Sequence, residues 1–157
     1  MDRLSIISDS VDRAEDIGRQ LVGIFETQSF PRQGFSNVAP QKYTIIDIDL
    51  DDGVGDEEYL EKLGAGCRKG MSEFRPQLIA YVAGADPYRE DQLGGLSLTI
   101  DGLKRRDRLV FDLAREHDAP AVVTLAGGYA VRVEDTVTIH CNTAKAAAEA
   151  LSGGVGR

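Results

Sequence analysis

With 157 residues, 42% of them hydrophobic and 28% charged, the chain has the size and balance of one globular domain with a sizeable core. Its formal net charge of -8, with no cluster of Lys and Arg set apart from acidic neighbours, argues against a nucleic-acid partner. No run approaches the ~20 apolar residues of a membrane span, and "MDRLSIISDSVDRAEDIG" has acids where a signal peptide has its apolar stretch, so no membrane contact and a cytoplasmic location are expected.

Residues 1–42 read as an N-terminal helix and loop. Val11, Ala14, Ile17, Leu21 and Ile24 share a stripe that predicts a helix from about Ser10 to Phe25, and the Pro, Gly, Ser and Asn content of "ETQSFPRQGFSNVAPQ" predicts a loop after it. From residue 43 to 157 the pattern changes. "YTIIDIDL" at 43–50, "LIAYVAG" at 78–84 and "AVVTLAGG" at 121–128 are β-branched or aromatic enough to be strands.

Helical patterns separate these runs. Asp56 can cap a helix in which Leu60, Leu63, Cys67, Met71 and Phe74 recur at steps of three and four. Thr99 can cap a second, with Asp101 in its first turn and Ile100, Leu103, Val110 and Leu113 close to one face. A third, starting near Asp135, carries the stripe Val137, Cys141, Ala144, Ala148 and Leu151. The alternation predicts an α/β fold, a parallel sheet with helices on both faces, whose ligands gather beyond the carboxyl ends of the strands. Cys67 and Cys141 lie far apart, outside any CxxC pair, and read as small core residues rather than a disulfide or a structural zinc site.

Each candidate for chemistry has a plainer reading beside it. Asp47, Asp49, Asp51 and Glu58 fall at calcium-loop spacing, but Asp52 stands where the turn glycine is needed, so a strand end, a turn at Asp52-Gly53 and a charged helix start are expected instead. His117 suits a helix C-terminus, and His140, in the middle of the last helix, suits a buried or half-exposed structural role, with approach to a site as the alternative. Asp86, in "GADP", either bonds its own turn before Pro87 or binds a cation at a strand mouth. In "AGGY" the glycines permit close backbone approach to a ligand, and Tyr129 carries a phenol donor at the corresponding strand mouth.

These residues carry a resemblance. From about Ile46 to Ala148, "DIDLDDGVGDEEYL", "FRPQLIAYVAGADPYREDQLGGLSLT", "GLKRRDRLVFDLA" and "VVTLAGGY" resemble the C-terminal portion of the zinc-dependent histone deacetylase family, which includes the acetylpolyamine and acetoin-utilisation amidohydrolases. The resemblance implies the C-terminal part of an arginase/deacetylase fold. It also implies a Zn2+ cofactor with Asp86 as one ligand, Tyr129 as the donor that polarises the acetyl carbonyl, and Gly127 and Gly128 as a wall of the substrate channel. Ala126 stands where many members have another glycine.

The His-His pair and the Asp-x-His motif of that family are absent, and residues 1–45 contain no histidine. The expected function is therefore zinc-dependent hydrolysis of an acetylated protein or small-molecule amine, incomplete in this chain alone. Self-association or a complementing chain is the expected partnership. The alternatives are a non-catalytic remnant or interaction module that keeps the α/β core, and a small ligand-binding domain unrelated to deacetylation.

Overall fold

The computed structural model describes residues 2–10, 20–27 and 43–152, with side chains described at Ile46 and from Ile48 onward. The described strands are β1 (Asp2–Ser10), β2 (Gln20–Thr27), β3 (Tyr43–Leu50), β4 (Leu78–Gly84) and β5 (Ala121–Ala126), and the helices are α1 (Asp56–Phe74), α2 (Ile100–Glu116) and α3 (Val133–Ser152). They make one sheet in the order β3-β1-β2-β4-β5. β1 pairs antiparallel with both β2 and β3, whereas β2 with β4 and β4 with β5 are parallel. Four strands thus run one way and β1 alone opposes them.

All three apolar runs form the strands expected of them. The helix expected over Ser10 to Phe25 does not form at either end, because Ser10 closes β1 and Gln20 to Phe25 lie in β2. "QLVGIFET" sits between two pairing strands, and sheet pairing on both sides overrides a helical stripe that Gly23 already weakens. The loop expected at 26–41 starts late, since Glu26 and Thr27 close β2; residues 11–19 and 28–41 lie outside the described residues.

The crossovers β3-α1-β4 and β4-α2-β5 move across the sheet in the same direction, so a right-handed path puts α1 and α2 on one face. α3 packs beside α2. Along β4, Ile79, Tyr81 and Ala83 are buried under this layer, while Ala80 and Val82 on the other face are only partly covered, and Val122 on β5 is 54% exposed. The described helices thus lie over the face that carries Ile79, Tyr81 and Ala83, in the α/β arrangement expected.

α1 buries the whole expected stripe, from Leu60 to Phe74, together with Tyr59. Its N-cap is Gly55, however, and not Asp56. The Asp56 carboxylate reaches across to α2, where Oδ1 accepts from the Thr99 amide at 2.8 Å and Oδ2 from the Thr99 hydroxyl at 2.7 Å. Thr99 caps α2 as expected, its Oγ1 accepting from the Gly102 amide at 2.9 Å.

α3 turns a different face inward from the one its apolar stripe suggests. Ile139, Thr143 and Ala146 are buried, whereas Cys141, Ala144 and Ala148 are exposed, as are Val137 at 55% and Leu151 at 79%. Cys67 is buried as expected; Cys141 is not. The reason is polar. Asp107 of α2 is fully buried, and its Oδ2 accepts from the Thr143 hydroxyl at 2.6 Å, which turns the Thr143 side of α3 toward α2.

Asp107 is the centre of a buried ion pair. Its Oδ1 accepts from Arg106 Nε at 3.0 Å, Arg106 Nη2 at 2.8 Å and the Tyr81 phenol at 2.5 Å. Arg106 lies 5.8 Å from the Tyr81 ring centroid and donates Nη1 to the Gly84 carbonyl at 2.6 Å, at the end of β4. Removing one partner of such a pair strands a buried charge, so Asp107→Ala should lower stability by about 3–5 kcal/mol in chemical denaturation. The exposed Arg105–Glu57 pair, at 2.6 Å, is the control: Arg105→Ala should leave the midpoint nearly unchanged.

Candidate functional site

The site lies where the parallel strands β4 and β5 end side by side. Gly84 is in register with Ala126, and the Ala85 amide continues the pairing by donating to the Ala126 carbonyl at 3.0 Å. Beyond this point each strand turns into a loop that carries one of the expected residues. Asp86 follows β4 and is half-buried; Tyr129 follows β5 and is 59% exposed.

The two loops are joined directly. Asp86 Oδ1 accepts from the Gly128 amide at 3.0 Å, so the side chain reaches the neighbouring strand's loop. Gly127 and Gly128 have φ of +59° and +105°, a region that favours glycine. A Cβ on Gly127 would lie 1.9 Å from Asp86 Oδ2, and one on Gly128 would lie 2.6 Å from Thr136 Cγ2. The close backbone approach expected of these glycines is thus made to Asp86 itself and to α3.

Tyr129 is held through its main chain. Its amide donates to Asp91 Oδ2 at 2.5 Å, and its carbonyl accepts from the Gln92 amide at 3.1 Å and from Gln92 Nε2 at 3.0 Å. The loop after Asp86 is itself tied down. Tyr88 donates its phenol to Asp135 Oδ2 at 3.2 Å, and Leu98 donates its amide to the Pro87 carbonyl at 3.0 Å. Burial, followed by the Asp135 charge, pushes the Tyr88 phenol above its ordinary value.

His140 does approach the site. It is half-buried on α3, with Nε2 3.4 Å from the Gly127 carbonyl and Nδ1 buried without a hydrogen-bond partner. His117 is the C-cap of α2, as its place in the sequence suggests. The acidic run at 47–58 forms a strand end, a turn at Asp52 and Gly53, and the start of α1.

The Zn2+ that the sequence resemblance implies does not fit the described residues. Among them no group of three or more His, Cys, Asp or Glu could hold a metal ion, whereas a catalytic zinc ordinarily has three protein ligands. Asp86 is a single carboxylate, and one of its oxygens already serves Gly128.

Reading the sequence overlooked two groups. Asp91 and Gln92 sit in a charged loop whose composition says nothing of Tyr129. Arg106 and Asp107 had a usable signal: they fall between Leu103 and Val110 on the apolar stripe of α2, where a charged pair must be buried together.

Comparison with known proteins gives this arrangement its family. The model of the histone deacetylase domain matches residues 16–144, most of the chain. The chain belongs to the histone deacetylase domain family. The match starts 30 residues ahead of Ile46, where the motif resemblance begins. Histone deacetylase 2 of Arabidopsis thaliana is 38% identical over 82 residues, covering 52% of this chain and 21% of its own length. Histone deacetylase B of Dictyostelium discoideum is 34% identical over 87 residues, covering 55% of this chain and 20% of its own. The chain therefore spans about a fifth of the length of these relatives.

A crystal structure of acetylpolyamine aminohydrolase from Burkholderia pseudomallei superposes with a TM-score of 0.55 at 22% identity, over 64% of this chain and 27% of that one. That likeness shows the fold, the α/β arrangement of the arginase/deacetylase class, of which this deacetylase-family chain holds a part.

Two outcomes test the geometry. Gly127→Ala should lower stability by about 1–3 kcal/mol, since its Cβ meets the Asp86 carboxylate, and should speed hydrogen exchange at the Gly128 amide; unchanged exchange would contradict the contact. The raised Tyr88 phenol favours the folded state fully below the ordinary tyrosine value of 10.0, and that contribution is lost as pH rises through the folded-state value. The stability advantage of the wild type over Tyr88→Phe should accordingly be constant in neutral solution and shrink above pH 10.0.

Proposed function

We propose that this chain is the carbonyl-polarising part of a deacetylase-type amide hydrolase, acting on an acetylated amine of the acetyl-lysine or acetylpolyamine kind. The observation that carries the reading is the junction of Asp86 with the Gly127-Gly128-Tyr129 loop, at the C-terminal mouths of adjacent parallel strands. Amide hydrolysis builds negative charge on the carbonyl oxygen, and a preorganised hydrogen-bond donor stabilises that charge. The exposed Tyr129 phenol can donate a hydrogen bond there.

The remaining needs of the reaction, an activated water and a base to take its proton, have no candidates among the described residues near Asp86 beyond His140. We therefore place the zinc ligands and the base on another polypeptide or on further chain. Exposed apolar side chains gather beside the mouth: Leu125, Val131, Val133 and Val137 are each more than half exposed. Such a patch suits a protein partner or a second copy.

A second reading, a non-catalytic module that keeps the α/β core, draws its support from Asp86, whose Oδ1 serves as a backbone pin for Gly128. Complementation separates the two. Mixed with a polypeptide that carries the His-His and Asp-x-His motifs of a deacetylase, the chain should hydrolyse acetyl-lysine peptides or acetylpolyamines. Tyr129→Phe should then lower kcat by about 10²–10³-fold with little change in KM. Inactivity with every such partner favours the module. Sedimentation of the isolated chain should show self-association; a monodisperse monomer would contradict that part of the proposal.

A further inference from the structure

Tyr129 presents a positional problem. It follows two glycines of positive φ, and its side chain is 59% exposed, so neither backbone preference nor packing holds the phenol in place. A donor that must meet a developing oxyanion has to be held to within a fraction of an ångström.

The geometry points to Asp91 as the positioning residue of Tyr129. Asp91 Oδ2 accepts from the Tyr129 amide, while Oδ1 accepts from the Leu93 and Gly94 amides at 2.9 Å each. The second pair of bonds folds the loop around its own carboxylate, so the acceptor offered to Tyr129 is itself fixed. Gln92 takes the Tyr129 carbonyl from the other side, and the Val131 amide donates to the Glu90 carbonyl at 3.0 Å, making a short antiparallel bridge between Asp91 and Ala130.

With amide and carbonyl both held, only the side-chain torsions of Tyr129 remain free. A carboxylate is the group this site requires. Three N–H donors converge on two oxygens, and an asparagine would present its NH2 to one set of them. Asp86 pins Gly128 in the same manner, so successive amides of the glycine loop are held by two carboxylates from the loop after β4.

The inference rests on the reading of Tyr129 as the carbonyl donor, but its test needs neither metal nor turnover. The chain, labelled throughout with 3-fluorotyrosine, gives one 19F signal for each of its five tyrosines, and Tyr129→Phe identifies the one that matters. In Asp91→Ala the Tyr129 signal should shift and broaden while the other four stay in place, and exchange at the Tyr129 amide should speed by at least tenfold. Asp91→Asn, which keeps one oxygen acceptor, should fall between the alanine variant and the wild type.

A Tyr129 signal that stays in place would overturn the assignment. So would a shift shared by all five signals, which would make Asp91 a residue of the fold at large. Should the alanine variant unfold, the same criteria apply to Asp91→Asn alone. A wild-type chain that never hydrolyses an acetylated amine, yet gives the expected 19F result, would count against the proposed function and leave the positioning role standing.

Discussion

The ion pair of Arg106 and Asp107 is the constraint on which the rest of the structure hangs. Both charges are fully buried, and their bonds tie three elements together: Tyr81 and the Gly84 carbonyl in β4, Thr143 in α3, and the pair itself in α2. An ion pair so deep contributes less net stability than its short distances suggest, because desolvation offsets most of the attraction. What it specifies is arrangement. It selects which face of α3 turns inward, and it fixes the end of β4 two residues before Asp86.

From that fixed point the site follows by short steps. The parallel pairing of β4 and β5 continues through Ala85 to Ala126, which brings the two loops close enough for Asp86 to reach Gly128. Two glycines make that approach sterically possible, and two carboxylates then hold what the glycines leave loose. The outcome is a mouth with one oriented carboxylate and one tyrosine held by its main chain. It belongs to the histone deacetylase family by sequence, yet lacks a set of metal ligands among the described residues.

Much of this was legible before any coordinates. Strands rich in β-branched residues, the Thr99 cap and the stripe of α1 are local signals, and local physics produced them as expected. The placement of Asp86 and Tyr129 at strand mouths followed from strand and helix alternation, and the pairing of β4 with β5 makes those mouths neighbours. The misreadings have a common cause: each depended on a partner distant in sequence. The helix pattern before Phe25 gave way to pairing with β1 and β4, the apolar stripe of α3 gave way to a hydroxyl that Asp107 needs, and Asp56 left its own helix to serve Thr99. Asp91 was invisible for the same reason, since its Tyr129 partner lies 38 residues away.

Asp86 holds the Gly128 amide at this mouth, and among the described residues no group of three metal ligands surrounds it. Titration of zinc into the metal-free chain, followed by calorimetry on the wild type and on Asp86→Ala, tests this arrangement most directly. The account predicts no stoichiometric zinc in either protein. One tightly bound zinc per wild-type chain, lost in Asp86→Ala, would contradict it.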